Sequence, residues 1–175
     1  MFAPGTILYT LGRFGPFITF IMSLFILNNK NLTTQAYIAG IIIDTILNPL
    51  IKLTFAQRRP DKTNSTTVLS AAIDTSKNPQ DTNFPDSFIE SSFDAHRYGM
   101  PSGHAQTSGF NLMYIWLVTH NYGITAIYAL FTIITCIQRV VARRHYVDQV
   151  LIGTVLGALI AYFSFVVLTG ILKSL

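Results

Sequence analysis

The chain has 175 residues, half of them hydrophobic and only 11% charged, with a mean hydropathy of +0.44; soluble domains are roughly 25% charged. This composition argues against a soluble protein and points to a single membrane-embedded domain over residues 1–175. The net charge of +4 is small, and its cations lie beside apolar stretches rather than on a polar helix face, which argues against a nucleic-acid partner.

A span needs about 20 mainly apolar residues to cross a hydrocarbon core of about 30 Å. The first candidate covers about Ile7–Leu27, interrupted by Arg13 and Pro16; in an alternative arrangement Met1–Gly12 lies in the interface. No Lys or Arg occurs among the first twelve residues, so the basic region of a cleavable signal is missing and the span is expected to be retained as an anchor. A polar turn at Asn28–Gln35 leads to a second span at about Ala36–Phe55. The stretch Asp61–Arg97 is rich in Ser, Thr, Asn and Asp, too polar to span. It reads as a partly disordered loop with a short amphipathic helix at Phe84–Phe93, either a tolerated insertion or a lid. The third span, Ala105–Val118, is short and is completed by Met100–His104. Asn121-Tyr122-Gly123 makes a tight turn, a fourth span follows at Ile124–Val141, and the fifth, Val150–Leu172, is the most uniformly apolar. The expectation is therefore an all-α, polytopic transmembrane helical bundle of about five spans. Cys136 stands alone in an apolar run and reads as a small buried hydrophobe.

Three stretches with chemistry fall at the mouths of these spans: Lys52 through Arg59 and Pro60, Tyr98 through His104, and Gln138 through Gln149. Counting spans puts all three on one face, shared by the N-terminus. Lys52 and Arg59 lie seven residues apart, nearly two helical turns, so both project from one side. Arg presents a fork that matches two phosphate oxygens, and Arg139 can supply a third cation. Pro101-Ser102-Gly103-His104 precedes an apolar helix whose first N–H groups form an anion site. Gly103 admits close approach, and the Ser102 hydroxyl either donates to the anion or merely caps the helix. His104 is then placed to protonate a leaving oxygen. His145 is the candidate nucleophile, provided an acceptor holds its other ring nitrogen; Asp148 and Gln149, at i+3 and i+4, are both within reach. Arg143 and Arg144 read as head-group contacts, and His96 and His120 as ordinary surface residues. Asp44, inside the second span, reads as one member of a buried structural pair, with Asn111 or Lys52 as partner.

Together these stretches resemble the type-2 phosphatidate phosphatase superfamily, which also holds vanadium haloperoxidases and glucose-6-phosphatase. Lys52, Arg59 and Pro60 match its first motif; Pro101, Ser102, Gly103 and His104 the second; Arg139 and His145 keep the spacing of the third. The resemblance, over roughly residues 36–170, implies an antiparallel helical bundle, no metal or other cofactor, a His145 phosphoenzyme and His104 as general acid. Two positions depart from it. Gln138 replaces the usual Ser before Arg139, removing a hydroxyl donor, and Gln149 stands where the family has Asp. Either Asp148 substitutes for that carboxylate or Gln149 serves as a weaker acceptor. Tyr98-Gly-Met-Pro-Ser-Gly-His-Ala-Gln106, with Gln149, looks like the dolichyl-diphosphate phosphatase branch, which faces the lumen of the endoplasmic reticulum and recycles a lipid carrier. The expected partner is thus a phosphorylated lipid in a membrane. An inactive relative that binds lipid or acts as a scaffold is the alternative, and a haloperoxidase fits the small multi-span chain poorly. Asn31-Leu-Thr33 and Asn64-Ser-Thr66 are glycosylation sequons on opposite faces. Only one of those faces can be lumenal.

Overall fold

The computed structural model describes residues 4–28, 30–60 and 98–174. The polar stretch 61–97, and with it the expected amphipathic helix, lies outside the described residues. Five helices follow one another: α1 Pro4–Leu27, α2 Asn31–Phe55, α3 Gly103–Thr119, α4 Tyr122–Val141 and α5 Val147–Ser174. Four segments, Thr6–Leu27, Asn31–Phe55, Tyr122–Val141 and Val147–Leu172, are long and apolar enough to cross a membrane. The protein is an integral membrane protein built as a helical bundle.

The helix ends differ from the expected spans for local reasons. The turn expected at Asn28–Gln35 is shorter, because Thr33 and Thr34 return their hydroxyls to the Lys30 carbonyl at 2.9 and 3.0 Å and so enter the first turn of α2. Asn121 caps α4, its side chain accepting from the Ile124 N–H at 3.1 Å, which starts that helix at Tyr122 rather than Ile124. α1 is continuous from Pro4 through Pro16, so Thr6–Gly12 is part of the same long apolar helix, Thr6–Leu27, that is able to cross a membrane.

α3 is the exception among the five. It has 17 residues, about 25 Å at 1.5 Å per residue, and carries the buried polar side chains Gln106, Ser108 and Asn111. A helix of that kind is tolerated because it packs against all four others and meets protein rather than lipid. Its main partner is α5, along a seam of glycines. A Cβ on Gly109 would strike the Thr154 backbone, one on Gly157 the Gln106 backbone, and one on Gly153 would lie 2.7 Å from the Ser102 carbonyl oxygen. Apolar side chains gain little by leaving lipid for one another, so close backbone packing is what associates such helices.

Hydrogen bonds tie the remaining interfaces. Tyr37 donates to Asn111 Oδ1 at 2.8 Å, and Asn111 Nδ2 donates to Thr19 Oγ1 at 2.9 Å and the Pro16 carbonyl at 3.2 Å, joining α1, α2 and α3. Asp44 therefore does not pair with Asn111. Its carboxylate accepts from Gln106 Nε2 at 2.9 Å and Thr107 Oγ1 at 3.1 Å, because the facing turn of α3 places these two donors opposite it. Toward the far end, Phe20, Tyr37, Phe110, Tyr114 and Phe165 stack edge and face with centroids 5.1–6.1 Å apart.

Candidate active site

The three sequence stretches meet at one end of the bundle, and backbone hydrogen bonds make the joint. Lys52, in the last turn of α2, is buried. Ala56 closes that helix in the left-handed conformation, φ 48°, its N–H on the Lys52 carbonyl at 2.9 Å. The chain thereby reverses, and Gln57–Arg59 runs beside Tyr98–Gly99. Arg58 bridges to Tyr98, the Gly99 N–H donates to the Gln57 carbonyl at 2.8 Å, and Arg59 Nε donates to the Tyr98 carbonyl at 3.2 Å.

Ser102 follows at the N-cap of α3. Its N–H donates to the Gln149 carbonyl at 3.1 Å, but its hydroxyl makes no capping bond. The Ser102 hydroxyl is fully buried and has no hydrogen-bond partner. The helix-cap role open to this serine is thus not the one it takes. Gly103 begins α3 over Asn48, whose Oδ1 would be 3.2 Å from a Cβ there. Asn48 in turn donates to Gln106 Oε1 at 2.8 Å, so the Asp44–Gln106–Asn48 network underlies the turn that presents Ser102 and Gly103. The first N–H groups of α3 have no acceptor within the helix.

Arg139 is buried in the last turn of α4. Arg143 turns left-handed, φ 51°, and the N–H groups of Arg144 and His145 both close on the Arg139 carbonyl, at 3.0 and 3.2 Å. This tight wrap seats His145 against Arg139. The His145 ring is buried, and its Nδ1 meets the Gly99 carbonyl at 2.8 Å and Gln149 Oε1 at 3.3 Å. A carbonyl can only accept, so Nδ1 carries the proton and Nε2 keeps its lone pair. Burial, reinforced by the fields of Arg139, Arg59 and Lys52, pushes the imidazolium pKa far below its usual value, against a smaller opposing pull from the Gly99 bond. The ring is neutral at ordinary pH.

Of the residues picked out by sequence, the structure brings Lys52, Ser102, Arg139, His145 and Gln149 into the buried joint, with Arg59, Gly103 and His104 half-buried at its rim. Asp148 is not among them. It is exposed and accepts from Gln57 Nε2 at 3.0 Å, because i+3 on the first turn of α5 points it away from the acceptor position that i+4 fills. Gln138 lies against Gly12 of α1, its Oε1 buried without a partner. Sequence reasoning missed Gly99, whose carbonyl is the shorter of the two bonds on His145. Backbone acceptors leave no residue signature, and the signal available was the placement of a glycine just before Met100-Pro101. Among the described residues, no three His, Cys, Asp or Glu side chains gather as a metal would require. A joint of buried cations, helix N-terminal N–H groups, an unbonded hydroxyl and an uncharged imidazole can hold a phosphoryl group and attack it. The family model of the PAP2 superfamily matches residues 34–172. No curated protein and no solved structure matches the chain.

Proposed function

The chain belongs to the PAP2 superfamily, and from that premise we propose that it is a phosphatase of membrane lipids that works through a phosphohistidine at His145. The observation that carries this reading is the setting of that ring, with Nδ1 held by the Gly99 carbonyl and Gln149 Oε1 and Nε2 left to react. Lys52, Arg59 and Arg139, with the Ser102 hydroxyl and the first N–H groups of α3, receive the phosphate oxygens and spread their charge. The Nε2 lone pair forms the N–P bond as the P–O bond to the leaving group breaks, and His104 gives that oxygen its proton. Water then attacks phosphorus and loses its proton to His104. The N–P electrons return to Nε2, and phosphate departs.

The substrate in this reading is a polyprenyl, dolichyl-type diphosphate or a related phospholipid. The Tyr98–Gln106 stretch and Gln149, which look like the dolichyl-diphosphate phosphatase branch, support it, as does a site at the end of a bundle that lies in the lipid. The branch would place the enzyme in the endoplasmic reticulum membrane. The test is phosphate release by protein purified in detergent, from polyprenyl diphosphate, phosphatidate and a soluble phosphate ester, beside His145→Ala. Release that vanishes in the variant supports the phosphatase, and the order of the lipids names its substrate. No release from any of them by folded protein would leave a lipid-binding relative in its place.

A further inference from the structure

The replacement of the family carboxylate by Gln149 has a physical logic that the hydrogen bonds around it disclose. Gln149 is fully buried, and both ends of its amide are saturated. Oε1 accepts from the Tyr146 N–H at 3.2 Å and from His145 Nδ1 at 3.3 Å. Nε2 donates to Gln57 Oε1 and to the Arg58 carbonyl, each at 3.0 Å. The orientation of the amide follows from partners with a single role, since the Tyr146 N–H can only donate and the Arg58 carbonyl can only accept. An aspartate, one methylene shorter, has neither the reach nor the donors, and a glutamate would set an anionic oxygen against that carbonyl. Gly99 completes the fit, because a Cβ there would overlap the Gln149 amide.

We infer that Gln149 is a positioning residue that does two jobs with one uncharged amide. With the Gly99 carbonyl it holds His145 in the Nδ1–H form, and it fastens that ring to the Arg58–Arg59 segment. The orientation of the nucleophile and the placement of the phosphate-binding arginine are then set together. This inference rests on the phosphatase reading, and it replaces an orienting charge with an orienting dipole. The charged groups that bear on His145 are Lys52 from α2, Arg59 from the segment after it and Arg139 from α4. α3 presents His104, and α5 presents Asp148, exposed and held by Gln57. Among the described residues no carboxylate supports the ring, and its protonation stays out of the neutral pH range.

The experiment uses full-length protein in detergent with isotopically labelled histidine, the His145 ring being identified by its loss in His145→Ala. Nuclear magnetic resonance from pH 8 down to about 2.5, a range that takes in a titration raised from about 2, is expected to show an Nδ1–H ring that does not titrate between pH 5 and 8. In Gln149→Glu, a carboxylate beside Nδ1 should raise the titration by roughly one to three units, and the acid limb of phosphate release should move up with it. In Gln149→Met, of similar length, kcat should fall about tenfold from the lost bond, and KM should rise as the Arg58–Arg59 segment loosens. An Nε2–H ring in the wild type, an unmoved titration in Gln149→Glu, or kcat and KM within twofold in Gln149→Met would each overturn the assignment. Where Gln149→Met does not fold, the Gln149→Glu titration decides. If wild-type protein releases no phosphate while the ring behaves as described, the positioning role stands and the phosphatase reading falls.

Discussion

Replacing Gly99 by alanine is expected to damage catalysis far more than folding. The added Cβ would lie 2.7 Å from Gln149 Nε2 and 2.8 Å from its Cδ, inside the closest approach real carbon atoms make. The amide must therefore swing away, and it cannot do so while keeping its bonds to Tyr146, His145, Gln57 and the Arg58 carbonyl. A typical hydrogen bond contributes about 1 kcal/mol net, so losing two of the four amounts to about 2 kcal/mol. If that loss falls on the orientation of His145 in the transition state, kcat/KM drops about 30-fold at 1.4 kcal/mol per tenfold. The Gly99 carbonyl itself remains, which keeps the ring from being released altogether. The assay is steady-state phosphate release on detergent-purified protein, with thermal unfolding measured in parallel. A Gly99→Ala protein within threefold of wild type would show that the contact between Gly99 and Gln149 does not set the ring, and the reasoning would fail.

Ser102→Ala should separate binding from stability with opposite signs. Its buried hydroxyl is unsatisfied, and leaving such a group unpaired costs about 1–3 kcal/mol, so thermal stability should hold or rise while KM rises; a clear drop in unfolding temperature would show that the hydroxyl has a structural partner after all. The depressed His145 pKa makes a further prediction. Between the folded and unfolded values the unfolded chain binds the extra proton, so stability should decline as pH falls below about 6.5, by up to about 1.4 kcal/mol per unit. A His145→Asn protein should lose that part of the slope, and an unchanged slope would refute a buried neutral ring. Orthovanadate, a phosphate mimic, should inhibit phosphate release and EDTA should not. Inactivation by EDTA, restored by a divalent ion, would require a metal-dependent mechanism.

The arrangement of spans was legible because apolar length is a direct physical signal, and once the spans were counted the three motif stretches had to open on one face. What the pattern hid were the places where polar groups are satisfied inside the protein. Thr33 and Thr34 looked like turn residues but serve as the first turn of α2 by bonding the Lys30 carbonyl. The third span read only as short, and nothing in its length showed that Gln106 and Asn111 are the pins of the α2–α3 and α1–α3 contacts. At the candidate site, residue types and spacing singled out His145, Arg139, Lys52 and Ser102, which the fold gathers in one buried joint. They could not choose between Asp148 and Gln149, since both fit a helix. The choice turned on the Arg58 carbonyl and the Gly99 carbonyl, groups that every residue type carries alike.

The same features that make α3 a poor membrane span make it a good foundation for the site. A fully apolar α3 would pack well, but it would have nothing to offer Asp44 or Asn48, and the Asn48 side chain beneath the Ser102–Gly103 turn would lose the Gln106 bond that holds it. Polar groups inside a bundle are safe only where water and lipid are both excluded and every partner is in place. The glycine seam with α5 excludes both around Gln106 by bringing the two backbones together. It also fixes the height of α5 relative to α3, and so the meeting of the Gln149 carbonyl with the Ser102 N–H. A side chain on Gly157, far from any reacting atom, would push apart the helices that carry Ser102 and Gln149. Helix packing in this bundle and geometry at His145 are therefore one constraint expressed at two depths.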